Sequence, residues 1–134
     1  MRILIVDDEP NNRMLLQFML KPIAQCDQAV DGREAVEAFL LAHEENDPYQ
    51  LILLDIMMPE MNGQEALKSI RAHEKERGIR GTEEVAVFMV TALDTETQVV
   101  EAFFKGCCTD YITKPVNQDL LFAKMREYHL LEEE

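Results

Sequence analysis

Residues 51–54 are four apolar positions with no polar alternation, and the run stops abruptly at Asp55. A strand with one wet face alternates apolar and polar residues, so an unbroken run fits a strand covered on both faces, as in a parallel sheet flanked by helices. Two further runs have this form. Residues 2–6 (RILIV) end in three consecutive acids, Asp7, Asp8 and Glu9, and residues 85–90 (VAVFMV) end at Thr91 and Ala92. Helical segments with recognisable starts lie between the runs. Pro10 opens one that extends to about Leu20, with Met14, Leu15, Phe18 and Met19 on one face and Pro22 limiting it. Asp31 caps the next, with Glu34 at its third position and Ala35, Val36, Phe39 and Leu40 as its buried stripe. Asn62 caps a third, with Glu65 as capping-box partner and Ala66, Leu67 and Ile70 facing inward. Asp94 caps a fourth, packed by Val99, Val100, Phe103 and Phe104, and Asn117 a last one carrying Leu120, Leu121, Met125 and Tyr128. Shorter strands at residues 25–30 and at Tyr111-Ile112 complete five strand–helix alternations. The expected fold is α/β, a doubly wound, five-stranded parallel sheet in the order 2-1-3-4-5 within a three-layer, flavodoxin-like architecture.

The 134 residues are expected to form a single domain, with a core over about residues 2–130, a short acidic tail at 132–134 and no internal linker. A net charge of −13 argues against binding nucleic-acid phosphates or anionic lipid and makes a cationic partner or a metal ion the natural counterpart. The three cysteines, Cys26, Cys107 and Cys108, form no CxxC pair and are expected to be free thiols in a reducing cytoplasm. No apolar run approaches the ~20 residues of a membrane span. The first strand begins at residue 2, so no targeting peptide is expected either.

In this winding order the ends of strands one, three, four and five are neighbours, so Asp7, Asp8, Asp55, Thr91 and Lys114 should share one crevice. At an effective dielectric near 20, each close pair of ionised carboxylates costs on the order of 4 kcal/mol. A divalent cation offsets that repulsion. All-oxygen ligation with retained waters suits Mg²⁺, and Asp8, Asp55 and a backbone carbonyl just past Asp55 could supply it. With a cation, an ammonium and a hydroxyl around it, a carboxylate oxygen can attack a phosphoryl group to give an acyl phosphate. Singly, Asp55 could solvate a loop, Thr91 is an ordinary β-branched strand residue and Lys114 an ordinary surface charge. Their joint placement favours a site.

From its first strand to its last helix the chain resembles the receiver domains of two-component response regulators. The resemblance rests on IVDDEP at residues 5–10, LLDIMMPEMNG at 53–63, VTA at 90–92 and DYITKP at 110–115. It implies that Asp55 is the phosphoacceptor, that Asp7 and Asp8 hold Mg²⁺ with help from the Met57 backbone carbonyl, and that Thr91 and Lys114 contact the phosphoryl group. It further implies a cis Lys114–Pro115 bond, and a switch role for Tyr111, which moves inward as Thr91 is drawn to the phosphoryl group. As a plainer alternative, Tyr111 is a half-buried sheet residue. The function implied is a phosphorylation-controlled signalling module rather than a metabolic enzyme. A histidine kinase or phosphotransfer protein would be the donor and a downstream protein the target.

Met57 and Leu93 flank the acceptor position, two residues beyond Asp55 and two beyond Thr91. The resemblance implies that in receivers that dephosphorylate quickly, acids or amides at these places orient the attacking water. Methionine and leucine cannot, so slow self-dephosphorylation is expected. A Mg²⁺-dependent phosphohydrolase is disfavoured because Met57 stands where that chemistry uses a second acid. A flavodoxin-like cofactor carrier is disfavoured because DDEPNN repels phosphate. A receiver-shaped scaffold that is never phosphorylated requires only that no kinase partner it. Two departures from the family pattern stand out. Cys107 occupies the place of a glycine four residues before Tyr111, which is expected to reshape the turn into the last strand. Residues 72–84 form a longer connection than the family's, either a partner contact or a loop. Kinase, output, oligomeric state and whether the chain is stand-alone or part of a longer protein are not legible here.

Overall fold

The computed structural model describes residues 1–56, 58, 61–92 and 107–132. Five strands, β1 (Arg2–Val6), β2 (Gln25–Ala29), β3 (Leu51–Asp55), β4 (Ala86–Thr91) and β5 (Asp110–Thr113), form one sheet in the order β2-β1-β3-β4-β5. Every pairing is parallel, with Val6 opposite Leu54, Asp55 opposite Val90 and Thr91 opposite Thr113. Four helices are described, α1 (Pro10–Leu20), α2 (Gly32–Glu44), α3 (Gly63–Glu76) and α4 (Gln118–Glu127), with a 3-10 turn at Gly81–Glu83. The helix expected from Asp94 onward lies outside the described residues.

The strand period of two divides the apolar runs between two cores. Leu4, Val6, Ile52, Leu54, Val87 and Met89 face one side, where Ala35, Val36, Phe39 and Ala42 of α2 and Ala66, Leu67 and Ile70 of α3 cover them. Ile3, Ile5, Leu51, Leu53, Phe88, Val90 and Ile112 face the other, under Leu16 and Leu20 of α1 and Leu121 and Met125 of α4. Each fully buried Leu or Ile contributes roughly 2 kcal/mol, so both faces hold the sheet and neither can be left uncovered. Caps fix the helix starts. Asp31 Oδ1 accepts the Glu34 N–H at 2.9 Å, Asn62 and Glu65 form a reciprocal capping box, and Asn117 Oδ1 accepts the Leu120 N–H at 3.0 Å.

The inward face of α1 is not the one expected. Met14, Leu15 and Phe18 are 68%, 47% and 76% exposed, whereas Leu16 and Leu20 are buried and Met19 is half-buried. The helix carries three apolar i, i+4 pairs, 14/18, 15/19 and 16/20, and a two-residue offset puts the first and the last about 200° apart. Arg13 decides between them. It lies on the 16/20 side, donates to the Asp7 carbonyl at 2.7 Å and to Gln28 Oε1 at 3.1 Å, and so turns that side to the sheet. Two smaller corrections have the same origin, a stripe drawn one residue too wide. Leu40 is only half-buried, Ala42 taking the inward place on α2, and Leu120 is exposed beside the buried Leu121. Among the described residues no helix is long and apolar enough to cross a membrane.

Candidate functional site

β1, β3, β4 and β5 are successive neighbours, so the residues that leave their carboxyl ends adjoin. β1 delivers Asp7 and Asp8, β3 ends in Asp55, β4 ends in Thr91 and β5 is followed by Lys114. Asp7, Asp55 and Thr91 are buried, whereas Asp8 is exposed. One oxygen from each of Asp7, Asp8 and Asp55 lies within 4.8 Å of the others. Lys114 Nζ stands 3.3 Å from Asp7 Oδ2 and 3.4 Å from Asp55 Oδ1. The Lys114 N–H donates to the Thr91 carbonyl at 2.6 Å, and the Lys114–Pro115 bond is cis. The sequence thus brings together all five residues expected in the crevice.

The surrounding backbone holds these groups in place. The second Asp7 oxygen, Oδ1, accepts the Glu9 N–H at 2.9 Å. Gly63, the first residue of α3, donates its N–H to the Ile56 carbonyl at 3.0 Å, and a Cβ there would meet the Asp55 carbonyl oxygen at 2.2 Å. Only a glycine allows α3 to start this close to the acceptor strand. Sequence reasoning passed over both Arg13 and Gly63. The Asn62-Gly63 pair was legible as a helix start, but not the close approach of its backbone to β3.

Burial is the main cause that pushes the Asp55 carboxyl up to about 6. Lys114 opposes it, while the charges of Asp7 and Asp8 add to it. For the Lys114 ammonium, burial acts downward, but Asp55 and Asp7 together outweigh it and the pKa is raised. One ammonium faces three carboxylates, and the donor set is all oxygen. That composition fits a hard divalent cation such as Mg²⁺.

Tyr111 sits on β5 opposite Met89, half-buried against the core layer of α2 and α3, with Lys124 Nζ 5.9 Å from its ring centre. Lys124 Nζ and the Tyr128 hydroxyl both donate to Asp110 Oδ2, at 3.0 and 2.9 Å. Met57 and Leu93 lie outside the described residues.

A parallel sheet whose strand ends converge three carboxylates, a lysine and a threonine is the frame of a phosphoacceptor domain. The family model for the response regulator receiver domain matches residues 3–126, and the chain belongs to that family. It is 40% identical over 114 residues to the transcriptional regulatory protein SrrA of Staphylococcus aureus, covering 84% of this chain but 41% of that protein. The chain therefore spans about two-fifths of the length of the curated relatives it matches. Among solved structures it resembles the response regulator TrrA of Thermotoga maritima in complex with Mg²⁺ and beryllofluoride, with a TM-score of 0.74 and 30% identity over 95% of this chain and 97% of that one. It also resembles the receiver domain of Ssk1 of Saccharomyces cerevisiae, solved with the histidine phosphotransfer protein Ypd1, with a TM-score of 0.79 and 30% identity over 97% of this chain and 89% of the matched chain. The module is one of phosphorylation-dependent signalling.

Proposed function

We propose that Asp55 accepts a phosphoryl group from a histidine kinase or a phosphotransfer protein, and that the modified chain changes its affinity for a downstream protein. The observation that carries this is the buried Asp55 carboxylate at a strand end, 3.4 Å from the Lys114 ammonium and inside a three-carboxylate cluster. In the transfer an Asp55 oxygen bonds to phosphorus as the N–P bond of a phosphohistidine breaks, and the electron pair leaves with the imidazole nitrogen. Lys114 neutralises charge on the transferring oxygens, and the Thr91 hydroxyl binds one of them afterwards. Asp7, Asp8, Asp55 and the Met57 carbonyl would hold Mg²⁺. That ion supplies charge neutralisation for the transferring oxygens. A relative solved with Mg²⁺ and beryllofluoride supports the choice of ion. Tyr111 reports the change by moving inward. The role is that of a regulator that assists its own phosphorylation, in the cytoplasm. Met57 and Leu93 make its phosphoryl group long-lived.

The donor protein needs a surface beside the crevice, and α1 offers one. Its exposed Leu15 lines a cleft of about 250 Å³ with Leu16, Val90, Pro115 and Val116, with Asp7 and Lys114 in the same lining, and the exposed Met14 and Phe18 line a second depression on the same helix beside Arg13 and Gln17. A receiver solved with a phosphotransfer protein supports a partner of that class. Acetyl phosphate or beryllofluoride with Mg²⁺ should modify one site, and Asp55→Asn should abolish it. Labelling that survives this change, or that maps to His43, His73 or His129, overturns the assignment. Phe18→Asp should slow transfer from a phosphohistidine protein and leave acetyl phosphate labelling unchanged.

A further inference from the structure

The charged end of α3 is more than a solvated tail. Glu74 is 1% exposed, with Oε1 2.7 Å from Arg71 Nη1 and Oε2 accepting the Val85 N–H at 2.7 Å. Arg71 also donates to two main-chain carbonyls, Nη1 to Val85 at 2.8 Å and Nε to Cys107 at 2.7 Å. A planar guanidinium locked by a buried carboxylate is a fixed fork, and this one ties the residue entering β4 to the chain entering β5.

β5 is a four-residue edge strand whose sheet neighbour is β4. Its far end is tied to the crevice through the Lys114 N–H and the Thr91 carbonyl, 2.6 Å apart. Its near end is tied by the Thr109 N–H to the Val87 carbonyl at 2.8 Å, by the Val87 N–H to Thr109 Oγ1 at 3.0 Å, and by Arg71. Tyr111 stands between the two attachments. We propose that Arg71, held by Glu74, is a positioning residue for the switch. It fixes the entry of β5, so that a displacement starting at Thr91 and Lys114 is expressed at Tyr111 instead of being lost as the strand slides as a whole. An equilibrium is shifted only by a difference between its two states, and a fixed entry lets the two positions of Tyr111 differ in their contacts. This inference rests on the reading of Asp55 as phosphoacceptor.

The test is ¹⁹F NMR on the full chain with fluorotyrosine, the Tyr111 resonance being assigned with Tyr111→Phe. Mg²⁺ with beryllofluoride should shift that resonance in the native chain. In Arg71→Lys, which keeps the charge but loses the fork, the shift should fall by at least half while beryllofluoride still saturates the site. Glu74→Gln, which is isosteric and keeps an acceptor for the Val85 N–H, should act in the same direction and less. If both variants melt lower but keep the full Tyr111 shift, the tie is only packing and the inference falls. A native chain that binds no beryllofluoride overturns both the inference and the phosphoacceptor reading. One that binds it without shifting Tyr111 overturns the inference alone.

Discussion

Removing the charge at Asp55 should stabilise the metal-free chain. The carboxyl is pushed from its ordinary value near 3.8 to about 6, with burial the leading cause. A raised acid pKa means that the folded state prefers the protonated form. The associated stability is fully present below the unfolded pKa and is lost as pH rises through the folded one. Two pKa units correspond to about 3 kcal/mol, lost between roughly pH 4 and pH 7. Asn is neutral at every pH and avoids that loss. The attraction of Lys114 is already contained in that shift, and solvent screening in the partly open crevice reduces the gain by about 1 kcal/mol. The net expectation for Asp55→Asn in EDTA at pH 7.5 is a gain of about 2 kcal/mol, or about 8 °C in Tm for a domain of this size. Thermal and urea melts at pH 7.5 and pH 4.5 would show a gap at the higher pH that largely closes at the lower. A variant no more stable than the native chain at pH 7.5, or a gap of equal size at both pH values, refutes the reasoning.

Three other outcomes follow from the same crevice. Mg²⁺ at ten times its dissociation constant should add RT ln 11, about 1.4 kcal/mol, to the native chain, and Asp8→Asn should remove most of that gain; melts with Mg²⁺ and with EDTA that coincide sink the metal site. Gly63→Ala places a Cβ 2.2 Å from the Asp55 carbonyl oxygen and should cost about 2–4 kcal/mol while lowering acetyl phosphate labelling, so a stable, normally labelled variant contradicts the contact. Decay of the phosphorylated chain in Mg²⁺ without kinase should be slow and should accelerate in Met57→Asn with Leu93→Glu by ~10²-fold or more; a native half-life of seconds, or a double variant no faster, rules this out.

The sheet was legible because burial on both faces leaves short unbroken apolar runs, too short for buried helices and each ended by a polar residue. The unbroken runs at β1, β3 and β4 became the three central strands, and the alternation of elements between them pointed to a doubly wound parallel sheet, for which β2-β1-β3-β4-β5 is one of the common orders. The site was legible for a related reason. A polar residue placed directly after a buried strand has only the crevice to occupy, so Asp7, Asp55, Thr91 and Lys114 could be placed together before any distance was known. Helix faces carry less information. α1 bears apolar residues on opposite sides, and the pair that packs is selected by the tertiary reach of Arg13 to the Asp7 carbonyl.

Arg71 and Glu74 mark where such reading stops. In sequence they sit in a stretch dense with charge, and a solvated helix end is what such a stretch ordinarily forms. Nothing in their i, i+3 spacing distinguishes an exposed pair, worth a few tenths of a kcal/mol, from this one. The difference comes from where α3 ends relative to two strands distant in sequence. There Glu74 meets the Val85 N–H, and the Arg71 fork meets the carbonyls of Val85 and Cys107. Burying that carboxylate is tolerable only because each of its oxygens has a donor. Substitutions that remove one partner and leave the other buried should therefore cost more than the exposed-pair value. That asymmetry makes the end of α3 a fixed point of the fold, four residues ahead of Tyr111 along the chain at Cys107.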